Sequence, residues 1–233
     1  MTLLDRLLPS RRRAREQEAL RRAGAFRLTR RLLTEDVTAL ASLLGALPPL
    51  ERAEGEHEDD LRARGDLTRR ALEGYDRAVA ALDGAVDPHV PEHVVLLDSV
   101  PALLDDARWA HAAAVAAAAG EPLPARRGSC FFDPRHGPAS RSVSWAPEGG
   151  TPREVDVCLA DAHRLDEDLA PDVRLVHVGG AGYVPWFQVA TGSSAAGTSS
   201  GWASALDAVD VDTRTHAVMD QTIQQLPNST RSR

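Results

Sequence analysis

Residues 121–138 read EPLPARRGSCFFDPRHGP, and the chain changes texture across them. Before this stretch lie long Ala- and Leu-rich segments with helical spacing; after it come short strand-like pieces punctuated by turns. Residues 121–129 therefore read as a proline-rich linker. The fold class that follows is α+β: a mainly helical N-terminal region, then a small β-hairpin and helix module resembling a zinc finger of treble-clef type. Within the stretch, Cys130 and His136 flank two phenylalanines and an Asp133-Pro134 turn.

Upstream, HVVLLDSVPALLDDARWAHAAAV places Val94, Leu97, Leu104, Ala107, His111 and Val115 on one helical face, with a break expected at Ser99-Val100-Pro101. The preceding segment, Leu61 to Leu82, aligns Leu67, Ala71, Tyr75, Ala78, Val79 and Leu82. The turn DGAVDPHVP joins the two into an antiparallel hairpin, in which alanine permits close approach. Before the hairpin, Thr34 is placed to cap a helix through Val37, Leu40, Leu44 and Leu47 that Pro48 and Pro49 terminate. Residues 34–120 thus form the helical region.

Residues 1–33 read as a separate arm, in which Leu3, Leu4, Leu7 and Leu8 precede Pro9 and an arginine-rich helix follows. Residues 1–34 carry ten arginines against Asp5, Glu16 and Glu18, so the remainder of this −7 chain stands near −14. Two readings of the arm compete. One is a solvated or partner-packed helix with charge pairs such as Arg12 and Glu16. The other is an amphipathic segment on an anionic membrane, touching it through Arg11, Arg12, Arg13, Arg15, Arg21 and Arg22.

Composition removes several chemistries. All 27 basic residues are arginine, which excludes a Schiff-base lysine, a phosphate-loop lysine and a lysine general base. Bulk negative charge argues against nucleic-acid binding by the body of the chain. No run of about 18 apolar residues suggests a membrane span. Two cysteines and no secretory-signal texture make a reducing cytoplasm the default location, with a peripheral position at the inner membrane face as the arm's alternative.

Downstream of the linker, residues 130–190 carry RSVSW, the turn APEGGTP, REVDVC, the helix LADAHRLDEDLA, then DVRLVHVGG and VPWFQVA as further strand-like pieces. Residues 191–233 open with TGSSAAGTSSG and read as a largely disordered tail. Cys130 and His136 pair with the second cluster in a Cys-x5-His-x21-Cys spacing, followed by Asp161 or His163. Knuckle, hairpin and helix start commonly bring four donors together around a structural zinc. If Cys158 lies on the helix, Asp161 sits about 60° around from it and His163 about 140°; if Cys158 ends the strand, His163 comes within reach. Asp161 ranks ahead. The alternatives are packing of both cysteines as small apolar residues, and redox chemistry between them.

The segments PLPARRGSCFFDPRHGPAS, WAPEGGTPREVDVCLADA and VRLVHVGG with VPWF resemble a family of uncharacterised proteins from high-GC Gram-positive bacteria. Glu35 to Thr38, Leu72 to Ala78, Cys130 to Pro138 and Val155 to Cys158 match its pattern, and the resemblance spans roughly residues 30–188. It implies an architecture and no reaction.

No nucleophile, base and orienting group stand at a recognised spacing, and no small-molecule substrate is evident. The leading expectation is a non-enzymatic protein whose helices dock another protein or a second copy. A metal-dependent hydrolase or nuclease using His136 and His163 is the enzymatic alternative.

Overall fold

The structure, a computed structural model, describes residues 3–52, 57–178 and 182–190. Three long helices come first: α1 (Leu3–Gly45), α2 (Glu58–Gly84) and α3 (Pro91–Ala118). A 3-10 turn (Pro134–His136) leads into strands β1 (Arg141–Trp145) and β2 (Arg153–Val157), then α4 (Leu159–Asp166), β3 (Leu175–Val178), β4 (Gly182–Pro185) and α5 (Trp186–Ala190). Each strand pair is an antiparallel hairpin, with Val143 opposite Val155 in the first and Val176 opposite Val184 in the second. The α+β class is as the sequence predicts. The predicted tail, residues 191–233, lies outside the described residues.

The helices pack because each supplies one apolar stripe. Phe26, Leu33, Val37 and Leu40 of α1 meet Ala78, Ala81 and Leu82 of α2 and Leu97, Val100, Leu104 and Ala107 of α3 in one buried core. Small residues set the separation of α2 and α3. A Cβ added at Gly74 would stand 3.0 Å from the Ala107 Cβ. Past the buried Arg108 the buried positions of α3 are all alanine, Ala110, Ala113 and Ala114, and Val115 turns outward.

Two predicted interruptions are absent. The arm and the first core helix are one element: α1 runs through Pro9 and through Thr34, so the boundary between residues 33 and 34 falls inside a helix. Thr34 is not a cap; its hydroxyl donates to the Arg30 carbonyl at 2.8 Å, as Thr38 does to Thr34 and Ser42 to Thr38. Hydroxyls satisfied by the preceding turn do not compete with the helix. Likewise α3 passes through Pro101. An interior proline costs about 3 kcal/mol, and here burial of Leu97, Val100 and Leu104 around it offsets that cost. VPWFQVA is also not a strand throughout, since β4 ends at Pro185 and Trp186 begins α5.

The second hairpin sits against α1. Val176, Val178, Val184, Trp186 and Val189 bury Leu32, a neighbour in sequence of Leu33 in the helical core. Two successive leucines thus face two different cores. A third core, Cys130, Phe132, Val155, Val157, Cys158, Ala162 and Phe187, lies under the first hairpin. Of the ten aromatic residues in the chain, four gather there: Phe131, Phe132, Trp145 and Phe187 have ring centroids 5.1–6.4 Å apart.

Charge joins the helices to this module. Arg174, buried ahead of β3, pairs with Asp36 and Glu35 of α1 at 2.7 Å each and stacks over Trp186. Its N–H donates to the Phe132 carbonyl at 3.2 Å, and its carbonyl accepts from the Trp186 N–H at 2.7 Å. Arg108 of α3, equally buried, stands 3.8 Å from Asp36 and 3.7 Å from Asp105.

Candidate metal centre

The knuckle is built by its own turn residues. Ser129 and Pro138 form an isolated antiparallel bridge, and the Cys130 N–H donates to the Gly137 carbonyl at 3.0 Å. Gly137 has φ of 93°, which favours glycine. Asp133 caps the 3-10 turn by accepting from the Arg135 N–H, and it also holds the Arg135 guanidinium. The Phe131 N–H donates to the Asp156 carbonyl at 2.9 Å, which lays the knuckle along β2.

On the other side, Cys158 follows β2 directly and is the N-cap of α4, its Sγ accepting from the Asp161 N–H at 3.4 Å. A cap and the third residue of its helix face each other. That geometry brings Asp161 into the site although Cys158 lies off the helix, the case in which the sequence put His163 within reach. His163 is exposed and is not part of the cluster.

Cys130, His136, Cys158 and Asp161 offer donor atoms that all lie within 4.8 Å of one another. Asp161 Oδ2 is the common neighbour, 3.2 Å from Cys130 Sγ, 3.4 Å from Cys158 Sγ and 2.9 Å from His136 Nδ1. His136 Nδ1 stands 3.8 Å from Cys158 Sγ. Zinc–ligand bonds of 2.0–2.3 Å imply tetrahedral edges of roughly 3.3–3.8 Å. The four separations above, 2.9–3.8 Å, approach such edges, and no pair exceeds 4.8 Å. This group could hold a metal ion.

Each donor has outer support. Asp161 Oδ1 accepts from the Asp172 N–H at 2.8 Å, which leaves Oδ2 facing the other donors. His136 turns Nε2 toward Asp172 Oδ2 at 3.5 Å and Asp133 Oδ2 at 4.0 Å. Metal-bound histidines are commonly oriented by a carboxylate on the second nitrogen. Neither Asp133 nor Asp172 stands out in the sequence as site support. Asp133 is visible only as an Asp-Pro turn, and Asp172 belongs to a stretch with a strand texture.

The electrostatics are those of an anionic nest. A hydrogen bond from Cys130 lowers the Cys158 thiol, and the same bond, with burial, pushes Cys130 up. Burial would raise Asp161, but the Asp172 N–H and donors from Cys130, His136 and Cys158 hold it below the ordinary carboxylate range. Burial would lower His136, yet hydrogen bonds to Cys130 and Asp161 lift it overall. A cation replacing these shared protons would satisfy all four groups at once. A cavity of about 650 Å³, lined by His136, Cys158, Asp161, Ser140 and Arg164, supplies an entry path.

Two histidines of α3 have ordinary partners. His93 Nδ1 accepts from the Asp87 N–H at 3.1 Å, and His111 Nε2 is 3.1 Å from the Leu43 carbonyl at the α1–α3 contact. Of the arm residues, Arg12, Arg13, Arg15, Arg21 and Arg22 are exposed on α1, and the Arg11 side chain lies outside the described residues. Fold and site together describe an α+β protein in which two cysteines, a histidine and an aspartate form a donor cluster in the module that follows three long helices. Comparison with protein-family models, with curated proteins and with solved structures finds no match.

Proposed function

We propose that the chain is a non-enzymatic scaffold whose α+β module is stapled by one structural zinc ion and whose helices present a surface to a protein partner. The carrying observation is convergence of four protein donors, two sulfurs, one imidazole nitrogen and one carboxylate oxygen, at the meeting of knuckle, hairpin and helix start. Four protein ligands fill a tetrahedral zinc, whereas catalytic zinc keeps a position open for water or substrate. Two thiolates and an imidazole favour zinc over magnesium or calcium. The nuclease alternative needs His163 beside His136, and His163 faces solvent outside the cluster.

A partner surface is supported by the groove between α1 and the start of α3, a cavity of about 520 Å³ walled by Phe26, Pro88, Val94, Val95 and Leu97. Val95 is 68% exposed there. The resemblance to the high-GC Gram-positive family fits a shared architecture built on the same knuckle.

Elemental analysis of tag-free protein tests the metal. One zinc per chain is expected in the wild type, with loss in Cys158→Ala and weakened retention in Asp161→Ala. Folded wild type that carries no metal and takes none up from a zinc buffer would end this reading.

A further inference from the structure

We infer that the leading part of α1 is an arm that seats the protein on an anionic lipid bilayer. The inference is independent of the metal. From Ala23 onward one face of α1 is buried, but residues 12–22 are exposed, Glu18 alone being half-exposed. The helical backbone continues nine residues further, to Leu3. Residues 3–22 therefore make a rod of about 30 Å at 1.5 Å per residue.

The charge on this rod is arranged for an external anion. Arg12 is tied to Glu16 and Arg22 to Glu18, while Arg13 and Arg15 have no ion-pair partner among the described residues. The rod's surplus of positive charge, near +4 over residues 3–22, stands against a body near −11, which would repel an anionic surface at contact. Screening removes that conflict. At physiological salt the Debye length is about 8 Å, so a rod several times longer holds the acidic body outside the field its own tip explores.

Sequence decides among anionic partners. Leu3, Leu4, Leu7 and Leu8 occupy the first two turns, and a basic run follows at Arg11, Arg12, Arg13 and Arg15. Apolar residues for the acyl boundary beside arginines for the headgroups are the two signals that stable peripheral anchoring takes. Nucleic acid is served less well, since no aromatic residue precedes Phe26 to stack on a base, and Phe26 is buried in the core. A coiled coil with a second copy needs apolar residues at heptad spacing, and residues 12–22 offer only Ala14, Ala19 and Leu20.

The test is co-sedimentation of the full chain with vesicles of phosphatidylcholine alone and of phosphatidylcholine with phosphatidylglycerol, across a salt series. Binding is expected to the anionic vesicles only, and to fall about tenfold or more as salt rises to about 0.5 M. Arg13→Gln with Arg15→Gln should weaken it several-fold and flatten the salt dependence. Leu4→Ser with Leu7→Ser should weaken it at unchanged salt dependence, with helical content and metal content preserved in both variants. Four results would each overturn the assignment: equal binding to neutral vesicles, no binding, binding that survives both variants, or capture of nucleic acid or a second copy in place of lipid.

Discussion

Asp172 supports the centre from two directions, because its N–H fixes one oxygen of Asp161 and its carboxylate faces the second nitrogen of His136. Asp172→Ala keeps the first contact and removes the second. Loss of such a support typically weakens metal affinity about 10- to 100-fold, measurable by chelator competition, and unchanged affinity would reduce Asp172 to a surface residue. The same competition followed against pH should show tighter binding as pH rises. Cys130 and His136 are both held above their ordinary values, so protons must leave them before they can ligate, and acid restores those protons. The site was legible in the sequence as two ligand pairs 21 residues apart. What was hidden was the reason for Asp161: angular spacing on a helix pointed to it, but an N-cap sulfur facing the third residue is what places it. Asp172 could not be read, because its contribution is half backbone and comes from beyond α4.

At the scale of elements, α2 and α3 approach so closely at Gly74 that side-chain volume there is decisive. A Cβ would meet the Ala107 Cβ at 3.0 Å. Gly74→Ala trades that crowding against the helix preference of alanine, worth up to about 1 kcal/mol, so a small net change is expected. Gly74→Val must force the helices apart and should cost about 1–3 kcal/mol, read as a drop in the denaturation midpoint; a neutral result would mean that the crossing has slack. The hairpin itself was readable, because its apolar positions recur at helical spacing on both partners. The continuity of α1 and α3 was not. In isolation Thr34 reads as a helix start and Pro101 as a break, and a buried stripe that continues from Phe26 through Leu33 to Leu40, with leucines buried on either side of the proline, overrides them.

For the whole molecule, the question is whether helices and α+β module unfold as one. Arg174 reaches both, pairing with Asp36 and Glu35 while its backbone bridges Phe132 and Trp186. Asp36→Ala would leave Arg174 and Arg108 buried without their shared carboxylate, and breaking a buried pair this way costs about 3–5 kcal/mol. With zinc bound as proposed, chelation should lower the melting temperature of the helical signal in the wild type, in a single transition. Two separate transitions in untreated wild type would contradict the coupling. The sequence held no sign of this seam, since Asp36 reads as a first-turn acid and the residues it meets lie 72 and 138 positions away.

The adjacent leucines of α1 also fix what lengths this chain can have. Leu32 belongs to the hairpin core and Leu33 to the helical core, so the helix is phased against two partners at once. One residue inserted between Leu33 and Asp36 would turn everything after it by about 100° relative to what precedes it. Asp36 would swing away from Arg174, and Val37 and Leu40 would leave the core that Phe26 and Leu33 still occupied. The same insertion between residues 12 and 22 would only rotate the exposed rod. One helix thus joins a segment whose length is free to drift to one in which the reading of every position is locked.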